Sequence, residues 1–226
     1  MITVHHLENS RSQRILWLLE ELGVPYEVKR YDRDKATMLA PPELKAIHPL
    51  GKSSVITDEH GTFAETGAII EHLVEEHGKG RLEPAKGTPE RARYTYWLHY
   101  AEGSAMTPLL RKLIFTALPQ RAPGLTKPLV KGVAKAALEG FVEPQLLTHM
   151  DYWEAELGKS EWFAGSWFSA ADIQMSFPLE AAASRGGLRD GRPNCAAFLD
   201  KIHARPAYQR ALQRGGPYAY AASRAA

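Results

Sequence analysis

Apolar and polar positions follow two different rhythms along this chain. Up to about residue 77 the pattern switches between a period of two and a period near 3.6, the signatures of strand and helix. Ile2 to Leu7 is a β-favouring run, and Ile15, Leu16, Leu18, Leu19 and Leu22 then recur at helical spacing until Gly23-Val24-Pro25 stops the helix. YEVKRY, residues 26 to 31, alternates again as a strand. A polar, proline-bearing stretch follows, with a short helix predicted over Pro42 to Ile47. Ser54 to Thr57 and Thr62 to Phe63 flank the turn-forming DEHG and read as a hairpin, and Glu65 to His77 closes the segment as a helix with Ile69, Ile70, Leu73 and Val74 on one face. The order is β-α-β, a connecting α, then β-β-α. The first unit requires a right-handed crossover between parallel strands, and the hairpin adds antiparallel strands to the same sheet.

From residue 89 onward the rhythm is helical only. Long helical patterns cover 89 to 117, roughly 127 to 157, 169 to 185, and 194 to 212 in pieces. Between the two halves, residues 80 to 88 are rich in glycine and proline and read as a linker. The expected organisation is an N-terminal α/β domain over 1–79, the linker 80–88, and an all-α domain over 89–226. The last ten residues, ending YAYAASRAA, are expected to fray.

Composition narrows the classes. With 28 basic against 26 acidic residues the net charge is only +2, so no global field recruits nucleic acid or an anionic membrane. The single cysteine, Cys195, excludes an intramolecular disulfide and any CxxC metal or redox motif. No apolar run approaches the roughly 20 residues of a membrane span, and MITVHHLEN lacks a signal pattern. A cytoplasmic protein without metal, nucleic acid or membrane partners is expected.

Candidate chemistry gathers at helix starts. In LENSRSQRILWLLEEL, residues 7 to 22, Asn9, Ser10 and Ser12 crowd one N-terminus where a single capping side chain would do. Either they cap, or a spare hydroxyl or amide faces an anion, which a helix N-terminus attracts. Glu65-Thr66 opens a second helix directly after a strand: simple capping, or a pair suited to the ammonium and carboxylate of an amino acid. Lys52, in the turn of HPLGKSSVIT, is either an exposed turn lysine or a partner for a ligand carboxylate. Ser169-Ala170-Ala171-Asp172 resembles a capping box for a buried helix, a structural device.

Taken together, the turn ENSRSQR, the loop HPLGKSS, the helix start ETGAIIEHL and the box SAADI resemble the cytosolic glutathione transferases along essentially the whole chain. The resemblance implies an α/β thioredoxin-like N-terminal domain joined to an all-α C-terminal domain, and the opening LENSRSQRILWLLEEL looks most like a serine-using bacterial and fungal branch. It implies that Glu65 and Thr66 hold the γ-glutamyl end of glutathione, that the Ser53 backbone meets its cysteinyl part, and that Lys52 approaches its glycyl carboxylate. Ser10 would donate a hydrogen bond to the thiolate, with Asn9 as the second candidate. One departure stands out: where the family has a cis-proline after residue 53, this chain has Ser54, and a cis Ser53–Ser54 peptide is expected. Glutathione is then a co-substrate conjugated to a hydrophobic electrophile in a detoxifying reaction. The rival readings are a non-catalytic binding or regulatory protein of the same fold, and a thiol–disulfide exchanger. The exchanger wants a cysteine where this chain has Asn9 and Ser10.

The electrophile pocket is expected between the domains, along YTYWLHYAEGSAM, with Tyr100 and Met106 as its candidates. The resemblance also implies a twofold homodimer. Arg91, Arg93, Tyr94 and Trp97 put more large side chains on their helix than a purely solvated surface would carry.

Overall fold

The computed structural model describes residues 1–221. Four strands, β1 (Ile2–Leu7), β2 (Tyr26–Tyr31), β3 (Val55–Asp58) and β4 (Gly61–Ala64), form one mixed sheet in the order β2-β1-β3-β4. β1 pairs parallel with β2, Val4 opposite Val28, and antiparallel with β3, Val4 opposite Ile56. Three helices complete this half: α1 (Gln13–Leu22), α2 (Pro42–Ile47) and α3 (Thr66–His77).

Strand β1 is buried on both faces, which explains why it does not alternate cleanly. Ile2 and Val4 join the main core with Ile15, Leu18, Ile69 and Leu73 from α1 and α3. Leu7 points into a smaller cluster with Tyr31 and Leu44 of α2, and on that side His5 bonds the Tyr31 hydroxyl (2.9 Å) and Thr57 Oγ1 (3.0 Å). Gly23 ends α1 at φ +68, a left-handed C-cap that glycine adopts without a Cβ penalty.

The helical half contains α4 (Pro89–Tyr100), α5 (Met106–Arg121), α6 (Lys127–Ala137), α7 (Glu143–Leu157), α8 (Ala170–Arg185), α9 (Pro193–His203) and α10 (Pro206–Gly215). π-helical turns at Ala101–Ala105 and Leu138–Val142 join α4 to α5 and α6 to α7, so the two long helical patterns are each continuous apart from one wide turn. α8 is the central post, with every residue from Ala170 to Ala182 buried. Asp172 closes its capping box by accepting from the Ser169 N–H (2.8 Å), and its other oxygen accepts from the Phe163 N–H (2.8 Å). α10 folds back onto α1 so closely that a Cβ on Gly215 would sit 2.8 Å from Leu16 Cδ1.

The fraying expected for the last ten residues is corrected over 217 to 221. Tyr218 and Tyr220 are buried, and the Tyr218 hydroxyl donates to Glu180 (2.7 Å). The alanine-rich composition concealed two tyrosines with apolar bodies and satisfied hydroxyls. Residues 222–226, the rest of that expectation, lie outside the described residues. No described helix is long and apolar enough to cross a membrane.

Candidate functional site

The end of β1, the start of α1, the loop before β3 and the start of α3 meet at one place. Ser10 lies in the β1–α1 turn, 5% exposed, and its Oγ is 2.9 Å from Ser53 Oγ and 2.8 Å from Ser12 Oγ. It also accepts from the Ser12 N–H at 3.3 Å. Beside Ser53 the chain passes through a cis Ser53–Ser54 peptide. The Ser54 hydroxyl is buried and sits 3.1 Å from Thr66 Oγ1, at the first residue of α3.

Glu65, just ahead of Thr66, is exposed and held at φ +73, a backbone region that non-glycine residues seldom occupy. Such strain persists where the surroundings over-determine it, and it gathers at ligand sites. Its side chain makes no capping bond to α3, so the capping account of this glutamate is not the one the structure supplies. The carboxylate stands at a helix N-terminus, open to solvent. Lys52 is also exposed and forms no ion pair among the described residues.

Asn9 is placed differently. Its Oδ1 accepts from the Ala219 N–H (2.8 Å) and its amide nitrogen points to Glu8 Oε1 (3.5 Å), which ties the side chain to the C-terminal segment. Ser12 holds the N-cap position of α1, yet its hydroxyl makes no capping bond to that helix. It turns instead to His6 Nδ1, 2.9 Å away.

The α4–α5 junction contributes residues that the pattern of the chain concealed. The π-helical turn presents Glu102 to α1, where it accepts from Arg11 Nε (2.9 Å) and from Arg14. Burial alone would raise the Glu102 pKa, but the two guanidinium groups outweigh it and hold the carboxyl below its usual range. Arg14 is 1% exposed and also donates to the Gln174 carbonyl (2.7 Å) and to Thr66 Oγ1 (3.3 Å), so it ties α1, α3, α8 and the π turn together. The Arg11 guanidinium lies 5.4 Å from the centre of the Phe177 ring, beside the Ser10 turn.

Both residues expected in the electrophile pocket are largely buried in this structure. Tyr100 is buried in an aromatic stack with Tyr96, Trp97 and Tyr152, and its hydroxyl accepts from Trp153 Nε1 (3.0 Å) and meets His149. These contacts pack it against α7. Met106 is 6% exposed within the main core. Trp97 on the same stretch also belongs to the main core, while Tyr96 is exposed. A separate cavity of about 410 Å³, bordered by Gly23, Asp58, His72 and Arg81, contains none of the residues gathered around Ser10. Among the described residues no group of three or more His, Cys, Asp or Glu side chains could hold a metal ion.

Known proteins match this chain along most of its length. Residues 1–75 match the family model for the glutathione S-transferase N-terminal domain, and residues 108–206 that for the C-terminal domain. The chain is 34% identical to glutathione S-transferase 3 of Schizosaccharomyces pombe, covering 95% of this chain and 88% of that one. It is 33% identical to glutathione S-transferase 1 of Saccharomyces cerevisiae, covering 95% of each. A crystal structure of a glutathione S-transferase from Actinobacillus pleuropneumoniae superposes with a TM-score of 0.80 at 34% identity, over 100% of this chain and 97% of that one. A sphingomonad glutathione S-transferase, solved in complex with glutathione, shares the fold with a TM-score of 0.72 at 24% identity, over 95% and 98% of the two chains. The strand-to-helix turn bearing Ser10, the Ser53 loop and the Glu65–Thr66 helix start thus sit on a shared framework, and the chain belongs to the glutathione S-transferase family.

Proposed function

We propose that this protein is a glutathione transferase of the serine-using branch, which joins the glutathione thiolate to a small hydrophobic electrophile in the cytoplasm. The observation that carries this reading is the convergence of Ser10 and Ser53, 2.9 Å apart, at the N-terminus of α1, with the Glu65–Thr66 start of α3 joined to them by the 3.1 Å contact of the Ser54 and Thr66 hydroxyls. Glutathione extends between the two helix starts. Its ammonium meets Glu65, its γ-glutamyl carboxylate the first-turn N–H groups at Thr66, its cysteinyl backbone the Ser53 main chain, and its glycyl carboxylate Lys52. Main-chain pairing of this kind treats the cysteinyl residue as one more strand position.

The thiol then lies against Ser10. A free thiol has a pKa near 8.5 and is mostly protonated at neutral pH, so a hydroxyl donor and a helix N-terminus both favour its ionisation. The protein needs only to bring a carbon electrophile in line with the sulfur. The electrophile is then expected between the domains, near Tyr100 and Met106 and beside the π-helical turn that joins them, where Glu102 pairs with Arg11 next to the Ser10 turn. Thiol–disulfide exchange has no support: Cys195 is fully buried, and burial pushes its thiol pKa far above the usual range.

The test combines turnover of a generic aryl halide with the thiolate absorbance of bound glutathione against pH. Ser10→Ala is expected to raise the thiol pKa and slow conjugation, while glutathione affinity is nearly retained. A shift in Asn9→Ala without one in Ser10→Ala would overturn the assignment of Ser10. Absence of both turnover and retention on immobilised glutathione would overturn the enzymatic reading.

A further inference from the structure

A line of three hydroxyls and an imidazole runs inward from the mouth of the site. Ser53 Oγ lies 2.9 Å from Ser10 Oγ, Ser10 Oγ 2.8 Å from Ser12 Oγ, and Ser12 Oγ 2.9 Å from His6 Nδ1. The inner end is sealed, with Ser12 at 0% and His6 at 1% exposure. Each hydroxyl owns one proton, so the line has a direction, and its inner end sets that direction.

His6 sits on β1 with its ring against the last turn of α10. The Gly215 carbonyl favours a proton on the imidazole beside it, and a Cβ on Gly215 would lie 3.3 Å from Nε2, so Nε2 is the ring nitrogen that faces this turn. A carbonyl can only accept, which favours the tautomer with its proton on Nε2. Burial, together with Arg30, whose guanidinium donates to the same carbonyl (3.0 Å), pulls the imidazole pKa down to about 4. The ring is therefore neutral near pH 7, and Nδ1 is a bare acceptor. Ser12 must donate to it. The Ser12 oxygen then accepts from Ser10, and Ser10 accepts from Ser53 and from the Ser12 N–H. The hydroxyl proposed to face the thiol thus holds its proton turned away from it.

We propose that Ser12 and His6 are positioning residues that compete with the glutathione thiolate for the Ser10 proton. This rests on the reading of Ser10 as the thiol-facing hydroxyl. While glutathione is bound as the thiol, it asks no proton of Ser10 and the line stays intact. When the thiol ionises, its proton leaves to solvent, and the Ser10 O–H must swing from Ser12 to the sulfur. The Ser10 and Ser12 oxygens are then left 2.8 Å apart with no proton between them. Reversing the line would require His6 to donate from Nδ1, either as an imidazolium or as the tautomer that leaves no proton facing the Gly215 carbonyl. The whole penalty falls on the thiolate form. That the Ser12 hydroxyl forgoes its capping bond at the α1 N-cap shows its commitment to this line.

The experiment follows thiolate absorbance of bound glutathione against pH in single variants. Ser12→Ala removes the acceptor of the Ser10 proton. His6→Phe removes the acceptor of the Ser12 proton, so the line can reverse. Both are expected to lower the thiol pKa by about half to one unit, the size of one contested hydrogen bond. Ser12→Thr, which keeps the hydroxyl, should return the wild-type titration, and Ser12→Ala should change nothing further in a Ser10→Ala background. A thiol pKa that is unchanged or raised in Ser12→Ala overturns the competition, and this holds without His6→Phe should that variant not fold. If Ser10→Ala itself leaves the pKa unmoved, the reading of Ser10 fails and the competition fails with it. If Ser10→Ala raises the pKa while Ser12→Ala does not lower it, only the competition is lost.

Discussion

Glu65 shows how little local sequence reveals about a single side chain. In ETGAIIEHL it reads equally as a helix cap and as a ligand group, and only the backbone at φ +73 and the unused side chain separate the two. Glu65→Gln keeps the shape and removes the charge facing the glutathione ammonium. A charged hydrogen bond of about 1.5–3 kcal/mol corresponds to a roughly ten- to hundredfold rise in KM for glutathione. Steady-state kinetics with glutathione varied should show this rise at an unchanged melting temperature, and an unchanged KM would return Glu65 to a structural role. Arg14 was invisible for the opposite reason. An arginine beside Gln13 at a helix start reads as solvated, and its partner Glu102 lies 88 positions further along. His6 was likewise hidden within a strand whose pattern says nothing of α10 packing above it.

Elements were the most legible level. The alternation of YEVKRY, the Gly23 stop and the DEHG turn each obey local steric rules, so β2, α1 and the hairpin fall where periodicity puts them. The long helical patterns also hold, although nothing in their apolar spacing signalled the π-helical turn that swings Glu102 toward α1. The capping box of α8 carries a further consequence. Burial of Asp172 pushes its carboxyl pKa from 3.8 up to about 7, against the N–H groups of Phe163 and Ser169, which favour the charged form. The raised value means that the folded state holds a proton that the unfolded chain loses near pH 4. Stability from this group is fully present below that point, declines as pH rises toward 7, and is level above. Denaturant unfolding of wild type and Asp172→Asn across that range should show the stability gap between them narrowing as pH rises, by on the order of 2–4 kcal/mol. A gap independent of pH would mean that the hydrogen bonds keep Asp172 charged in the folded protein.

At the scale of the whole molecule, the outstanding expectation is the twofold dimer. The side chains that first suggested it are satisfied within one subunit: Tyr94 and Trp97 are 1% exposed, Arg91 pairs with Glu83, and Arg93 pairs with Glu156. Other residues now carry the case. Leu110, Ile114 and Leu118 recur every four residues along α5 and are 49%, 51% and 42% exposed, and Tyr96 on α4 is 47% exposed. Single exposed apolar residues are ordinary, but a stripe at helical spacing is the pattern of a face that a partner covers. A twofold axis would set this stripe against its own copy, since such an interface uses the same patch on both subunits. Light scattering at micromolar concentration should therefore give twice the 25.1 kDa chain mass. Ile114→Asp would place two like charges close to the axis and should shift the population to monomer, with the circular dichroism of the helices unchanged. A wild-type monomer at that concentration would overturn the dimer, and a dimer indifferent to Ile114→Asp would move its interface off the α5 stripe.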